Sequence, residues 1–317
     1  MKLSKKSIGR LLIIACVGLT FVFSGCKEKE QDDRPTVALV MKSLANEFFK
    51  TMEEGAQAHQ AAHADEYNLK VVGIKNETDV AQQIEYVELM MAQGVNAIVI
   101  APADSKALVA VCKKAMDAGI VVVNIDNKFD VDVLADKGVR IPFVGPNNQQ
   151  GAKLAGVYLA ARLNPGDKVA IIEGAPNAYN GIQRKRGFEE AMLGSGMDIV
   201  SSQTGYWETD KAQPIASALI NEHADLKAIL CANDSMAIGA VVALRDAGKS
   251  DDVYVIGFDN IVAVQDLLKE GKVLCTVDQH GDQLAVYGIE YALDMLAGEA
   301  AGADKETPVD LITAEML

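Results

Sequence analysis

Near-continuous apolar strands alternate with segments of helical spacing, and the whole alternation runs through twice. Thr36–Met41 (TVALVM) reads as a buried strand, Glu47–His63 as a helix, Leu69–Ile74 as a strand and Val80–Gln93 as a helix. Ala97–Ala101, Ser105–Ala118 and Ile120–Ile125 continue as strand, helix and strand. The pattern restarts with strands at Lys168–Ile172, Asp198–Gln203, Ala228–Cys231 and Val253–Phe258, with helices from about Gly181, Lys211 and Ser235 between them. Strands apolar on both faces and separated by helices predict parallel sheets covered on both sides, joined by right-handed crossovers. The expected fold is α/β, with two doubly wound, Rossmann-like domains.

The two halves also resemble each other locally. NAIVIAPADS (Asn96–Ser105) parallels KAILCANDS (Lys227–Ser235), and VVVNID (Val121–Asp126) parallels VYVIGFD (Val253–Asp259). Ligands of such sheets bind outside the carboxyl ends of strands. Two facing domains would therefore present Asp126 and Asp259 to one cleft. The tail adds a strand at Lys272–Val277, a helix at Leu284–Leu296 and a strand at Val309–Thr313. These elements make the chain cross between domains more than once, with Pro146 and Gln279–Gly281 as candidate crossings. The expected division is 36–146 plus 280–309 for one lobe and 147–279 plus 310–317 for the other.

The amino-terminal segment stands apart. Lys2, Lys5, Lys6 and Arg10 precede an apolar run from Leu11 to Phe23, followed by Ser24, Gly25 and Cys26. Leu11 to Gly25 is shorter than the roughly 20 apolar residues a membrane span needs. Residues 1–25 read as a signal peptide. Small residues before Cys26 look like a lipobox, with Cys26 lipidated, although Phe23 stands where Leu is usual. An ordinary secretory signal cut nearby is the alternative. Residues 26–35 then form a polar tether. The expected location is the periplasm or cell surface, with the membrane met only through this anchor.

A formal net charge of −14 argues against nucleic acid, which needs a basic patch. Cys112, Cys231 and Cys275 lie in apolar patterns without a CxxC and read as buried free thiols. GxGxxG, GxxxxGK[ST] and GxSxG are absent. In HQAAH (His59–His63), Gln60 replaces the Glu a zinc protease needs, so a solvated helix face is expected. Asp126–Asp132 lacks calcium-loop spacing. No metal and no cofactor are expected.

What remains suits a neutral polyhydroxyl ligand. Asp126 and Asp259 are acceptors at strand ends, and Arg184 is a planar donor fork. Asn46, Asn233 and Gln279 both donate and accept, while Phe48, Phe49 and Trp207 offer flat apolar faces. Each has a structural alternative: Asp234 or Ser235 could N-cap the next helix with Asn233 a turn residue, and Phe48 and Phe49 could be core.

Several ordered motifs resemble the periplasmic sugar-binding proteins of ribose/allose type, the receptors of ABC importers. They are ALVMKSLANEFF (Ala38–Phe49), APADS (Ala101–Ser105), VVNIDNK (Val122–Lys128), IQRKRGF (Ile182–Phe188), CANDSMAIGA (Cys231–Ala240), VIGFD (Val255–Asp259) and TVDQ (Thr276–Gln279). The resemblance covers nearly all of Thr36–Thr313. It implies sugar contacts at Asn46, Phe48, Phe49, Asp126, Arg184, Asn233, Asp259 and Gln279, with Trp207 as a second stacking aromatic and a three-strand hinge. Lys42 replaces a small hydroxyl residue of ribose-type members and looks like the allose-binding branch. Asn127 stands where ribose-type members carry Arg and is unlike either branch. Both are carried as candidate contacts.

The expected function is capture of a sugar or sugar-like polyol by a monomer that presents its closed form to an ABC permease, without catalysis. A sensory receptor on the same fold is the alternative partner reading. An enzyme lacks a cofactor motif or nucleophile–base pair here, and a lactose-repressor-like regulator would need a DNA-binding head.

Overall fold

A computed structural model describes residues 32–299 and 302–317. The signal segment, Cys26 and most of the tether lie outside the described residues. The first half runs β1 (Thr36–Met41), α1 (Glu47–Ala62), β2 (Asn68–Gly73), α2 (Val80–Ala92), β3 (Ala97–Ile100), α3 (Val109–Asp117), β4 (Val121–Ile125), α4 (Val131–Asp136) and β5 (Phe143–Pro146). The second runs α5 (Asn148–Ala160), β6 (Lys168–Glu173), α6 (Tyr179–Gly194), β7 (Asp198–Thr204), α7 (Thr209–Glu222), β8 (Leu226–Cys231), α8 (Asp234–Asp246), β9 (Tyr254–Ile256), α9 (Val262–Lys269) and β10 (Thr276–Asp278). The tail adds α10 (Gly281–Ala297), β11 (Lys305–Thr307), β12 (Asp310–Ile312) and a 3-10 turn at Ala314–Met316.

Two parallel sheets result. One has the strand order β11-β5-β4-β3-β1-β2, the other β7-β6-β8-β9. In each, the order reverses beside its first strand, β1 or β6, which is where doubly wound sheets open a crevice. The central strands are buried on both faces, and their alternation shows how. Val37, Leu39 and Met41 of β1 enter one core and Ala38 and Val40 the other. In β3, Ala97 and Val99 join the first core and Ile98 and Ile100 the second. The period of two thus sends one strand into two helix layers.

The tail stitches the sheets together. α10 packs on α1, β3 and β4, and β11 extends the first sheet beside β5. β10 and β12 pair antiparallel, with Thr276 opposite Ile312. The chain passes from the first sheet to the second after β5, and between the separate β10-β12 pair and the first sheet after β10 and again between β11 and β12.

Several expectations need adjustment. The Lys272–Val277 run is a regular strand only from Thr276, with Cys275 before it in a single parallel bridge to Ile256 of β9. Helix α3 begins at Val109 rather than at Ser105. Asp104 Oδ1 accepts from the amides of Lys106 and Ala107, and this turn occupies the four residues before the helix. His59 is not on a fully solvated face: its Nδ1 lies 2.9 Å from Tyr67 Oη and its ring stacks on His63. Among the described residues no cluster of metal-ligating side chains occurs, and no helix is long and apolar enough to cross a membrane. Cys112, Cys231 and Cys275 are free and buried, and burial pushes the Cys112 thiol up to about 12.

Candidate functional site

Side chains converge from the carboxyl ends of strands in both sheets on a small cavity of about 20 Å³. Lys42 follows β1, Glu77 lies beyond β2 and Asp126 follows β4. From the other sheet come Trp207 after β7, Asn233 after β8 and Asp259 after β9. Gln279 ends the β10 crossing. Asn46 and the rings of Phe48 and Phe49 enter from the start of α1, and Arg184 and Asn180 from α6.

The backbone at these strand ends is unusual. All six described non-glycine residues with positive φ are Asp126, Tyr206, Trp207, Asp259, Asn260 and His280. Three of them line the cavity, at φ 58°, 72° and 125°. Left-handed backbone costs on the order of 1 kcal/mol or more per residue, and such strain collects where side chains must be aimed.

Two cations face three carboxyls. Lys42 Nζ lies 3.1 Å from Asp126 Oδ2, with both side chains buried. It also stands 5.3 Å from the Phe49 ring and 5.5 Å from Trp207. Arg184 is held from three sides. Its Nε donates to Asn148 Oδ1 at 2.8 Å, and one terminal nitrogen donates to the Ala232 carbonyl at 2.9 Å and to Asp259 Oδ1 at 3.4 Å. Its guanidinium lies 3.7 Å over the centre of Phe258. Asp259 Oδ1 also accepts from Gln279 Nε2 at 2.7 Å.

The asparagines do two jobs. Asn46 N-caps α1 by accepting from Phe48 N, and its Nδ2 donates to Glu77 Oε1 at 2.9 Å. Asn233 N-caps α8 by accepting from Met236 N, so the cap is neither Asp234 nor Ser235. Asp234 instead lies beneath the site, accepting from Thr276 Oγ1 at 2.7 Å and Ile261 N at 3.0 Å.

Of the oxygens lining this cavity, Gln279 Oε1 is buried and accepts no hydrogen bond from the protein, and Asp126 Oδ2 meets only the Lys42 ammonium at 3.1 Å. Buried acceptors are rarely left so, because each costs about 1–3 kcal/mol. The site therefore offers a free acceptor, Gln279 Oε1, and ion-paired carboxylates between flat rings. This is what a molecule rich in hydroxyl donors and C–H faces requires.

Ten of the eleven residues expected from sequence line this cavity; Asn127 does not. Its Nδ2 donates to the Pro102 carbonyl at 2.8 Å, and its Oδ1 accepts from Ser105 Oγ and from Asn180 N, each at 3.2 Å. The left-handed turn at Asp126 aims adjacent side chains apart, and Asn127 latches a loop of the first sheet's half to α6. Sequence reading missed Glu77 and Asn180. Asn180 could have been found from its i,i+4 relation to Arg184, and Glu77 from its place beyond a strand end, where the other carboxylates stand.

Residues 37–300 match the family profile described as periplasmic binding protein domain. The chain belongs to the periplasmic binding protein family. A D-ribose/D-allose-binding protein of Pseudomonas aeruginosa is 53% identical over 315 residues, covering 98% of each chain. An ABC solute binding protein structure from Burkholderia multivorans, with an unknown ligand interpreted as α-D-erythrofuranose, superposes with TM-score 0.86 at 55% identity. It covers 88% of this chain and 99% of that one. A periplasmic solute binding protein from Actinobacillus succinogenes with bound D-allose gives TM-score 0.85 at 32% identity, covering 89% and 99%.

Burial sets the protonation of this periplasmic binding protein's cleft. Desolvation lifts Glu77 to about 7, against the opposing pull of Lys42 and the Asn46 hydrogen bond. Asp259 is also raised, by burial first and by Asp234 and Asp126 next, while Arg184 opposes the shift. The unfolded chain ionises Glu77 near 4.5, the folded chain near 7. Between those values the fold retains a proton that the unfolded chain has released, so stability falls as pH rises through the window. The unliganded protein should melt about 5 °C higher near pH 5.5 than near pH 8. Calorimetric melts of the parent and of Glu77→Gln check this, because the variant should flatten the slope.

Proposed function

We propose that this chain captures a sugar or sugar-like polyol in the cavity between its two lobes and delivers it, as the closed form, to the permease of an ABC importer. The observation that carries the reading is the buried acceptor without a partner, Gln279 Oε1, set with the carboxylates of Asp126 and Asp259 among Phe48, Phe49 and Trp207. The named ligands of the relatives, ribose and allose, are of this chemistry. The lobes are 36–146 plus 280–309 and 147–279 plus 310–317, and Asn46, Phe48, Phe49, Asp126 and Lys42 belong to the first. Arg184, Trp207, Asn233 and Asp259 belong to the second, and Gln279 to the hinge. The protein works as a monomer in the periplasm, anchored through a lipid on Cys26, and turns over no substrate.

A ligand drives closure only if it binds the closed state more tightly than the open one. A polyol touching both lobes supplies that difference. Protein contacts at the rim supply part of the closing energy. On one side Ser105 N donates to the Asn177 carbonyl at 3.1 Å and Tyr179 N to Ser105 Oγ at 2.9 Å. On the other, Val262 N donates to Glu47 Oε1 at 2.9 Å.

Ser105→Ala removes a rim hydroxyl outside the cavity lining. It should weaken polyol binding about fivefold, as the loss of one or two net hydrogen bonds from the closed state requires. Small-angle scattering should show a larger radius for the unliganded variant than for the unliganded parent, and the same radius for both when saturated. The function itself is tested by thermal shift against pentoses, hexoses and inositols. A ligand present at 100 times its dissociation constant should stabilise the fold by about 2.7 kcal/mol.

A further inference from the structure

Glu77 is 3% exposed, yet only one of its carboxyl oxygens is engaged, by Asn46 Nδ2 at 2.9 Å. No other hydrogen bond or ion pair within 4 Å involves this side chain among the described residues. Its second oxygen accepts no hydrogen bond from the protein, and the side chain does not serve the core: it lines the cavity. It also lines a second hollow, toward Ser43, Asn76 and Thr209, and the two hollows share Asn46, Glu77 and Trp207 as walls. Glu77 therefore stands at one end of the cavity, where it opens toward the space between the lobes. The unpartnered acceptor Gln279 Oε1 and the Asp126 carboxylate line the same cavity.

From this placement we infer that Glu77 is a specificity-determining residue that contacts ligand, reading polyol length at the end of the cavity nearest the second hollow. A polyol that reaches it donates a hydroxyl to its free oxygen. A shorter one leaves that oxygen without a protein or ligand partner and forfeits the contact. The inference rests on the polyol-binding reading above and adds to it the end of the ligand that is measured.

The charge beside Glu77 fits this role. Lys42 lies close enough to favour the ionised carboxylate and Asn46 fixes its orientation, while burial favours the neutral acid. The balance leaves a group able to accept from a hydroxyl or, once protonated, to donate to one. Neither form requires the ligand to be charged.

The test is a homologous series: D-erythrose, D-ribose and D-allose, which share configuration and lengthen by one hydroxylated carbon at a time. Dissociation constants are measured by titration calorimetry for the parent, Glu77→Ala and Glu77→Gln. The longest sugar that the parent binds well should lose about tenfold or more in Glu77→Ala, and the shortest less than about twofold. Glu77→Gln, isosteric and still able to accept from Asn46, should recover part of the loss for the long sugar. Equal losses across the series would overturn the inference, since Glu77 would then act only by holding Asn46. Unchanged affinities throughout would overturn it as well. A parent that binds none of the three, nor any other pentose, hexose or inositol, would instead refute the polyol-binding reading beneath it, and a parent that binds them while the variants show no length dependence refutes this inference alone.

Discussion

Arg184→Ala should lose polyol binding by at least about a hundredfold and melt at a lower temperature than the parent. The expectation combines two roles of one side chain. Arg184 is the only arginine lining the cavity, and it sits 3.4 Å from Asp259 Oδ1, with Asp126 and Asp234 close enough to act on it. Removing it leaves buried carboxylate charge uncompensated, which costs roughly 3–5 kcal/mol in comparable broken pairs. It also leaves Asn148 Oδ1 and the Ala232 carbonyl without their donor. Arg184→Lys should recover part of the stability and less of the affinity, because one ammonium cannot reproduce the planar fork or its seat on Phe258. Calorimetric titration together with melting of both variants checks it. A variant Arg184→Ala within about threefold of the parent in affinity would remove Arg184 from the binding machinery.

Trp207→Ala should weaken binding by about 3 kcal/mol, or roughly a hundredfold, the scale of truncating an aromatic anchor in a desolvated site. The indole is 4% exposed and closes one side of the cavity. It is held against backbone: a methyl group at Gly174 would come within 2.1 Å of the ring, and one at Gly181 within 3.1 Å. Glycine at 174 is thus the condition for the ring's position. Gly174→Ala should displace the ring and weaken binding without removing any ligand-contacting atom. Trp207 is the single tryptophan of the chain, so its emission reports directly on the site. Ligand addition should change the parent's fluorescence, and the change should be smaller in Gly174→Ala at equal saturation.

The parts of the fold that were legible in sequence are those whose burial is done by large apolar side chains. β1, β3 and β8 announce themselves because Val, Ile and Leu fill both faces. Helix α5 escaped because its buried stripe is Gly151, Ala152, Ala155 and Gly156, with almost no large residue to give a period. Those small residues let α5 approach α6 closely: a methyl at Gly156 would meet Ala191 Cβ at 2.6 Å, and one at Gly187 the Gln149 carbonyl at 2.2 Å. Close helix packing of this kind carries no hydrophobic periodicity. The short strand β11, KET, is likewise two-thirds exposed and found its place only through pairing with β5.

The site divides in the same way. Asp126, Asp259, Asn233 and Trp207 could be singled out because strand ends aim residues at a cleft, and the ordered motifs of the family mark them. Asn127 sits one residue from Asp126, yet a single left-handed residue sends its amide into Pro102 and Ser105 instead. No pattern of residue types records that turn. Glu77 was passed over because it lies in a polar loop, KNETD, where a carboxylate ordinarily faces water. Its bond from Asn46 and its place on the cavity wall go with burial instead.

One measurement bears most directly on the central claim. The protein without its first 25 residues, purified free of ligand, is titrated with D-ribose and D-allose by calorimetry, with tryptophan emission followed in parallel. The account predicts saturable binding of one sugar per chain, with an emission change that saturates at the same concentration and is lost in Trp207→Ala. No saturable binding of either sugar, or of any pentose, hexose or inositol at millimolar concentration, would contradict it.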